Sequence, residues 1–231
     1  MELSSVGIIP DGNRRYAKAH KLSLVDSYRL GTSKAWELID WLSEHKEIKS
    51  GTFYTLSLEN LTRSRNELSA LLKIFDSQLD SVFRKPLFEE KGIRLKFIGN
   101  LSAMPKNLIK KIAEVEEYTA PFNKKLVQLA LGYSGQEEIV NAAKNLALDY
   151  QKGKVDLENV DESSFKKYLY SENEPDLVIR TSGTKRLSGF LTYQSAYSEL
   201  YFSDKYWPEF SRQDFDSAVQ DYYNRKRNFG K

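Results

Sequence analysis

Two arginines directly behind an Asp-Gly-Asn turn are the residues of this chain best placed for chemistry. Residues 8–17 read IIPDGNRRYA. The apolar run at 6–9 predicts a buried strand, and Pro10 ends it, because proline brings no N–H to a ladder. Asp11, Gly12 and Asn13 then turn, Arg14 and Arg15 follow, and helical sequence begins at Tyr16. A strand that feeds a helix through a glycine turn aims free backbone N–H groups and the positive end of a helix dipole at one spot. Two guanidiniums beside them make a doubly charged oxyanion, such as a phosphate, the preferred ligand. A bare carboxylate would repel that anion, so the economical role for Asp11 is to hold a divalent cation bridging the two. The plainer alternative is a strand–turn–helix corner with Asp11 as helix cap and both arginines solvated.

A second donor cluster lies at 176–186, DLVIRTSGTKR, followed by Leu187 and Ser188. A short strand delivers Arg180 to its end. Thr181, Ser182 and Gly183 then form a small polar turn whose N–H groups can nest an anion, and Arg186 and Ser188 add donors. This reads as a second phosphate site, or else as a polar surface loop. Glu199 stands in the apolar, aromatic run QSAYSELYF. Buried glutamate is uncommon unless paired or metal-bound, which makes Glu199 the candidate second ligand for the cation at Asp11. A third polar stretch, SLENLTRSR at 57–65, contributes Ser57, Asn60 and Arg63. It follows the β-rich run at 52–56, a usual place for a functional loop.

The elements that must carry these residues alternate. Strands are expected at 6–9, 52–56, 93–98, 126–131, 177–180 and 199–202. Helices are expected at 24–44, 67–88 (ending near Pro86), 105–118, 135–150, 165–170 and 210–227. Such alternation predicts an α/β fold, a mostly parallel sheet of about six strands flanked by helices. Ligands of such sheets bind beyond the carboxyl ends of the strands, so the Asp11, Ser57 and Arg180 loops should meet at one edge. The 231 residues, without a linker-like stretch, predict one domain.

Composition removes other chemistries. Cysteine is absent, which excludes disulfides, thiolate metal sites and cysteine nucleophiles. Two histidines leave little for a zinc site or a serine–histidine triad. A net charge of +3, without a basic aromatic stripe, argues against nucleic acid. No apolar run approaches the roughly 20 residues of a membrane span, and no leader pattern opens the chain. A cytoplasmic protein with room for peripheral membrane contact is expected. The 14 tyrosines and 12 phenylalanines suffice to line an apolar cavity.

Together the three stretches resemble the cis-prenyltransferase family, of the undecaprenyl diphosphate synthase type. DGNRRYA is similar to the family's DGN-x-R-[WY]-A, and SLENLTR to its S-x-E-N-W-x-R. DLVIRTSG…RLSGFL…QSAYSELYF, with Trp207-Pro208 behind it, is similar to its C-terminal signature. The resemblance implies Mg²⁺-dependent condensation of isopentenyl diphosphate with an allylic prenyl diphosphate, creating a Z double bond and releasing pyrophosphate. It also implies a homodimer and an apolar tunnel for the growing chain. Asp11 matches the metal-supporting aspartate. Gly12, Asn13, Arg14 and Arg15 match the allylic diphosphate loop. Ser57 and Asn60 match residues near the reacting centre, and Arg63 the arginine after them. Arg180, Thr181, Arg186 and Ser188 fall on the isopentenyl diphosphate site, and Glu199 on the metal-linked glutamate. Arg227 and Gly230 resemble a C-terminal tail that reaches toward the active site. The helical stripes at 35–42 and 68–83 are tunnel walls or ordinary core. The DDxxD of trans-type synthases is absent.

Several positions depart from the family pattern: Pro10 for Met, Leu24 for Arg, Leu61 for Trp, and Tyr28 (before Arg29, Leu30 and Gly31) for His. Thr184 and Lys185 replace a Glu followed by Gln or His, and GYSG at 132–135 replaces NYGG. Most surround the allylic substrate, so short products, an unusual acceptor or altered regiochemistry are expected. A non-catalytic subunit of a heteromeric synthase is the alternative, against which the retained Asp11 and arginines weigh.

Overall fold

The computed structural model describes residues 2–226. Strands β1 (Ser5–Ile9), β2 (Ser50–Ser57), β3 (Ile93–Ile98), β4 (Lys125–Tyr133), β5 (Leu177–Arg180) and β6 (Glu199–Phe202) form one sheet in the order β3-β4-β2-β1-β5-β6. Every pairing is parallel. The central strands are buried on both faces, which is why β1 and β4 read as near-continuous apolar runs, whereas edge strand β3 alternates buried and exposed positions.

The helices are α1 (Asn13–Ala19), α2 (Leu24–Glu44), α3 (Arg65–Val82), α4 (Leu87–Lys91), α5 (Lys106–Thr119), α6 (Gly135–Gln151), α7 (Glu162–Lys166) and α8 (Arg212–Asn224). Local chemistry sets their starts. Ser23 and Ser64 accept the N–H groups of Asp26 and Glu67, and capping boxes open α7 (Asp161/Ser164) and α8 (Ser211/Asp214). The expected helix at 67–88 is two pieces: α3 stops at Val82, and Pro86 caps the separate α4. A residue preceding proline is pushed away from helical geometry, so the helix ends before it. Likewise Pro105 caps α5 instead of being its first residue.

The main core lies between one face of the sheet and the helices α2, α3, α5 and α8, around Ile8, Leu38, Phe53, Leu79, Leu129 and Phe215. A smaller cluster on the other face contains Ile9, Tyr133, Val178, Phe190 and Leu191. At the amino edge Asp176 Oδ2 accepts the N–H groups of Ser4 and Ser5, both at 2.8 Å, and fixes the start of β1. The all-parallel order puts the ends of β1, β2 and β5 at the opposite, carboxyl edge. No helix among the described residues is long and apolar enough to cross a membrane.

Candidate active site

The register Ile9↔Arg180 sets the first and third polar loops side by side. Gly12, not Asp11, is the N-cap of α1. Its φ is +107°, and a Cβ there would stand 2.7 Å from Ser182 Oγ. The corner with Asp11 as helix cap is therefore not the one formed. Asp11 is instead woven into the neighbouring loop. Thr181 Oγ1 accepts its N–H (2.9 Å) and donates to its carbonyl (2.7 Å). Arg180 Nη2 reaches Asp11 Oδ2 at 2.9 Å and Arg15 Nη2 reaches the same oxygen at 3.2 Å. Burial alone would raise the Asp11 pKa, but these two guanidiniums hold it below its ordinary value. Arg15 also donates to the Ser182 carbonyl (3.0 Å) and lies over Tyr206. Helix α1 is only seven residues long, so its dipole is minor and the guanidiniums dominate anion binding. Gly12→Ala forces a side chain into the left-handed region against Ser182, at about 1–2 kcal/mol. The expected result is a melting midpoint lower by roughly 2–4 °C per kcal/mol, read by thermal unfolding.

Arg180 is 5% exposed and does three tasks at once. Besides Asp11 it donates to the Arg186 carbonyl and to Ser188 Oγ (2.7 Å). Ser182, Ser188 and Leu191 all have positive φ (74°, 51° and 44°), so backbone strain concentrates in this one loop. What holds the loop was invisible from sequence. Tyr54 Oη donates to the carbonyls of Ser188 (3.2 Å) and Tyr133 (3.3 Å), and Gly135 N–H to that of Gly189 (2.7 Å). Glu138, 1% exposed, accepts from Gln194 Nε2 (3.1 Å), the Tyr170 N–H (2.7 Å) and the Tyr133 hydroxyl. Burial raises the Glu138 pKa despite these bonds. The one sequence signal was a carboxylate just past the Gly-Tyr-Ser-Gly turn.

The middle loop completes the edge. Ser57 Oγ accepts Asn60 Nδ2 at 2.8 Å, so the two form a unit at the end of β2. Leu61 packs against the main core. Arg63 Nη1 lies 3.2 Å from Glu67 Oε1 and donates to Tyr28 Oη, also at 3.2 Å, and Tyr28 donates to Glu67 at 2.6 Å. Arg14 Nε approaches the same Glu67 oxygen at 4.0 Å. Burial first, and the Glu67 hydrogen bond second, push the Tyr28 pKa up to about 12. Glu67, 11% exposed, is thus a further residue of this cluster. Arg29 is not brought there; it lies exposed beside Asp26.

Three of the five buried polar atoms without a hydrogen-bond partner among the described residues belong to this edge: Asn13 Oδ1, Arg180 Nε and Ser182 Oγ. Buried polar groups are nearly always paired, so these three atoms on adjoining loops are candidate partners for a polar ligand. Asn13 also lines a cavity of ≈ 140 Å³ between α2, α3 and the sheet. Pro10, Asn13, Tyr28 and Gly31 line its polar end; Ala35, Ile39, Leu71, Phe75, Leu79 and Leu129 are among its apolar walls. The helical stripes divide accordingly, for Leu38, Leu42 and Val82 are core and do not line it.

Glu199 requires a correction. It pairs with Leu177 in register and is the first residue of β6, at the amino edge of the sheet. Val6 shares that level, so Asp11 stands five residues further along, roughly 16 Å at strand rise. Glu199 instead binds Arg225 Nη1 at 2.6 Å. It cannot join Asp11 of its own chain on one cation. Among the described residues no group of three or more His, Asp or Glu side chains could hold a metal. A divalent ion fits here in another way: Mg²⁺ is commonly held by one or two carboxylates plus substrate phosphate oxygens, and Asp11, amid unpaired polar atoms, supplies one. Arg227 and Gly230 lie outside the described residues.

Comparisons with known proteins agree with this geometry. Residues 9–230 match the family described as "Putative undecaprenyl diphosphate synthase". The chain is 44% identical over 228 residues to the tritrans,polycis-undecaprenyl-diphosphate synthase (geranylgeranyl-diphosphate specific) of Thermoplasma acidophilum, covering 98% of this chain and 88% of that one. It is 40% identical over 230 residues to the enzyme of the same name from Pyrobaculum aerophilum, covering 98% and 95%. Among solved structures, lavandulyl diphosphate synthase from Lavandula x intermedia in complex with dimethylallyl diphosphate superposes with a TM-score of 0.92 at 31% identity, over 99% of this chain and 98% of that one. A probable undecaprenyl diphosphate synthase from Campylobacter jejuni gives 0.82 at 29%, over the whole of both chains. With the Asp11–Arg180 edge, the all-parallel sheet and a match from residue 9 to 230, the chain belongs to the cis-prenyltransferase family.

Proposed function

We propose that this protein condenses isopentenyl diphosphate with a short allylic diphosphate, forming a Z double bond and releasing pyrophosphate, in a Mg²⁺-dependent reaction. The observation that carries the choice of a short starter is the cavity below the cationic edge. Its ≈ 140 Å³ is close to the roughly 150 Å³ of an apolar cavity that accepts one benzene ring. That is room for a five-carbon tail, not for the four-unit tail named for the curated relatives.

Two anions must be held apart yet adjacent. Arg14, Arg15 and the Gly12 turn receive the allylic diphosphate. Arg186, Ser188 and the unpaired Nε of Arg180 receive the isopentenyl diphosphate. Each charge-assisted contact contributes roughly 1.5–3 kcal/mol, and each buried methylene of the tail about 0.8 kcal/mol. Asn13, at the polar end of the cavity, sits where the allylic carbon meets its leaving oxygen, and Ser57 with Asn60 borders the same edge. Asp11 would hold a divalent ion, which would supply charge neutralisation to the departing pyrophosphate.

The allylic C–O bond breaks with its electron pair leaving on pyrophosphate. The terminal alkene carbon of isopentenyl diphosphate bonds to the freed carbon, and one proton is lost from its C2. That proton is assigned to the departing pyrophosphate. Asp11 is held ionised below its ordinary 3.8, and Tyr28, at about 12, keeps its own proton, whereas a phosphate ester titrates near 6. Tyr28→Phe is therefore expected to reduce turnover less than about tenfold and to leave the shape of the pH–rate profile between pH 6 and 9 unchanged.

A homodimer joined along the β6 edge is part of this reading; there Tyr197 stands 87% exposed beside a half-exposed edge strand. Sedimentation at twice the 26.7 kDa chain mass tests it. The reaction is tested with isopentenyl diphosphate, Mg²⁺ and allylic diphosphates of graded length. Highest kcat/KM with dimethylallyl diphosphate is the expected result. Incorporation with geranylgeranyl diphosphate alone would overturn the short-starter assignment.

A further inference from the structure

Gly31 lies inside α2 and is not among the residues of positive φ. No turn or left-handed geometry asks for glycine there, and in a helix interior glycine is the least favourable residue after proline. The reason for it is space. A Cβ on Gly31 would stand 2.3 Å from Asn13 Oδ1 and 3.0 Å from Trp207 Cδ1, the first far inside van der Waals contact.

The frame around this slot is tied down. Ser27 Oγ, one turn earlier on the same face of α2, donates to the Asn13 carbonyl at 2.7 Å. Trp207, 2% exposed, donates from Nε1 to the Gly31 carbonyl at 2.7 Å, and its own N–H donates to the Asp11 carbonyl at 3.0 Å. The indole and both main chains are therefore fixed. What can yield is the Asn13 amide, whose Oδ1 is buried but makes no hydrogen bond among the described residues.

We propose that Gly31 is a positioning residue for prenyl transfer: by withholding a side chain it seats the Asn13 amide in a slot between α2 and Trp207 and so sets its rotamer at the polar end of the cavity. This rests on the reading above that Asn13 lies where the allylic carbon meets its leaving oxygen. A side chain at position 31 turns the amide out of the slot. The fold loses little, but at a reacting centre a misplacement of about 1 Å costs roughly 10²-fold.

The test is a double-mutant cycle on the full chain, read by thermal unfolding and by initial rates with isopentenyl diphosphate, dimethylallyl diphosphate and Mg²⁺. Gly31→Ala is expected to melt within about 4 °C of wild type, because the better helix former offsets the crowding. Its kcat should fall about 10²-fold, while the KM for isopentenyl diphosphate, held by the other loop, moves less than about threefold. Asn13→Ala empties the slot and should lower kcat by about 10²–10³-fold. In that background Gly31→Ala has little left to displace, so the double variant should be at most about threefold slower than Asn13→Ala alone. Losses that multiply to about 10⁴-fold or more would overturn the inference, because Gly31 would then act on something other than Asn13. So would an undiminished kcat of folded Gly31→Ala, or a Gly31→Ala chain that no longer folds, which would put the contact on Trp207. Full activity of Asn13→Ala overturns this inference together with the role given to Asn13. A wild type that incorporates no label refutes prenyl transfer itself, a distinct outcome.

Discussion

Asp11→Asn is expected to lower isopentenyl incorporation by about 10²–10³-fold, the usual effect of removing one preorganised group that stabilises developing charge. The substitution keeps a hydrogen-bonding side chain of the same shape beside Arg180 and Arg15, but removes the carboxylate proposed to hold a divalent ion. Raising Mg²⁺ should not restore the rate. The same change leaves Arg180, 5% exposed, without its counter-charge, so stability should fall too. The pH dependence has a definite sign. The folded-state pKa of Asp11 lies below its ordinary 3.8, so the ion pair stabilises the fold above that value and is lost as pH falls through the folded pKa. The stability gap between wild type and variant, measured by denaturant unfolding, should be full at pH 6 to 8 and shrink below about pH 4. A variant with undiminished incorporation would remove Asp11 from the reaction.

Arg180→Lys is expected to raise the KM for isopentenyl diphosphate by about 10–100-fold, at one to two charge-assisted bonds lost, while changing the KM for the allylic substrate far less. Arg180 holds Asp11, the Arg186 carbonyl and Ser188 Oγ simultaneously. A planar fork of five donors can do this; a single ammonium cannot. The Ser188 loop, already strained at φ 51°, loses its central tie, and the second diphosphate site loosens. Equal changes in the two KM values would place Arg180 in general support of the fold. The measurement is initial-rate kinetics with each substrate varied against saturating partner.

The sheet and the Asp11–Arg180 edge were legible because their signals are local. Apolar runs of four to nine residues mark parallel strands buried on both faces, and the polar turns behind 6–9 and 177–180 face one edge once all strands are parallel. Glu199 was misplaced for a reason the same rule contains: a residue that begins a strand lies at the amino edge. The apolar run around it signalled burial but not which end of the strand it occupies. Three long-range pairings had no local signal. Glu138 depends on Gln194, 56 residues away, the Tyr28–Glu67 bond spans 39, and Trp36–Gln78 spans 42. Glu138, Tyr28, Glu67, Trp36 and Gln78 sit on separately predicted helices and Gln194 on no predicted element, so only packing brings donor to acceptor. The break between α3 and α4 was half legible: Pro86 gave the place, but not the loss of the last turn before it.

The most direct test is the fate of labelled isopentenyl diphosphate given to the folded protein with Mg²⁺ and dimethylallyl diphosphate, followed by product length and double-bond geometry. The predicted result is short prenyl diphosphates carrying a Z double bond, with pyrophosphate released in equal amount and incorporation by the Asp11→Asn variant reduced as above. Folded protein that incorporates no label from any allylic starter, or that forms only E bonds, would contradict it.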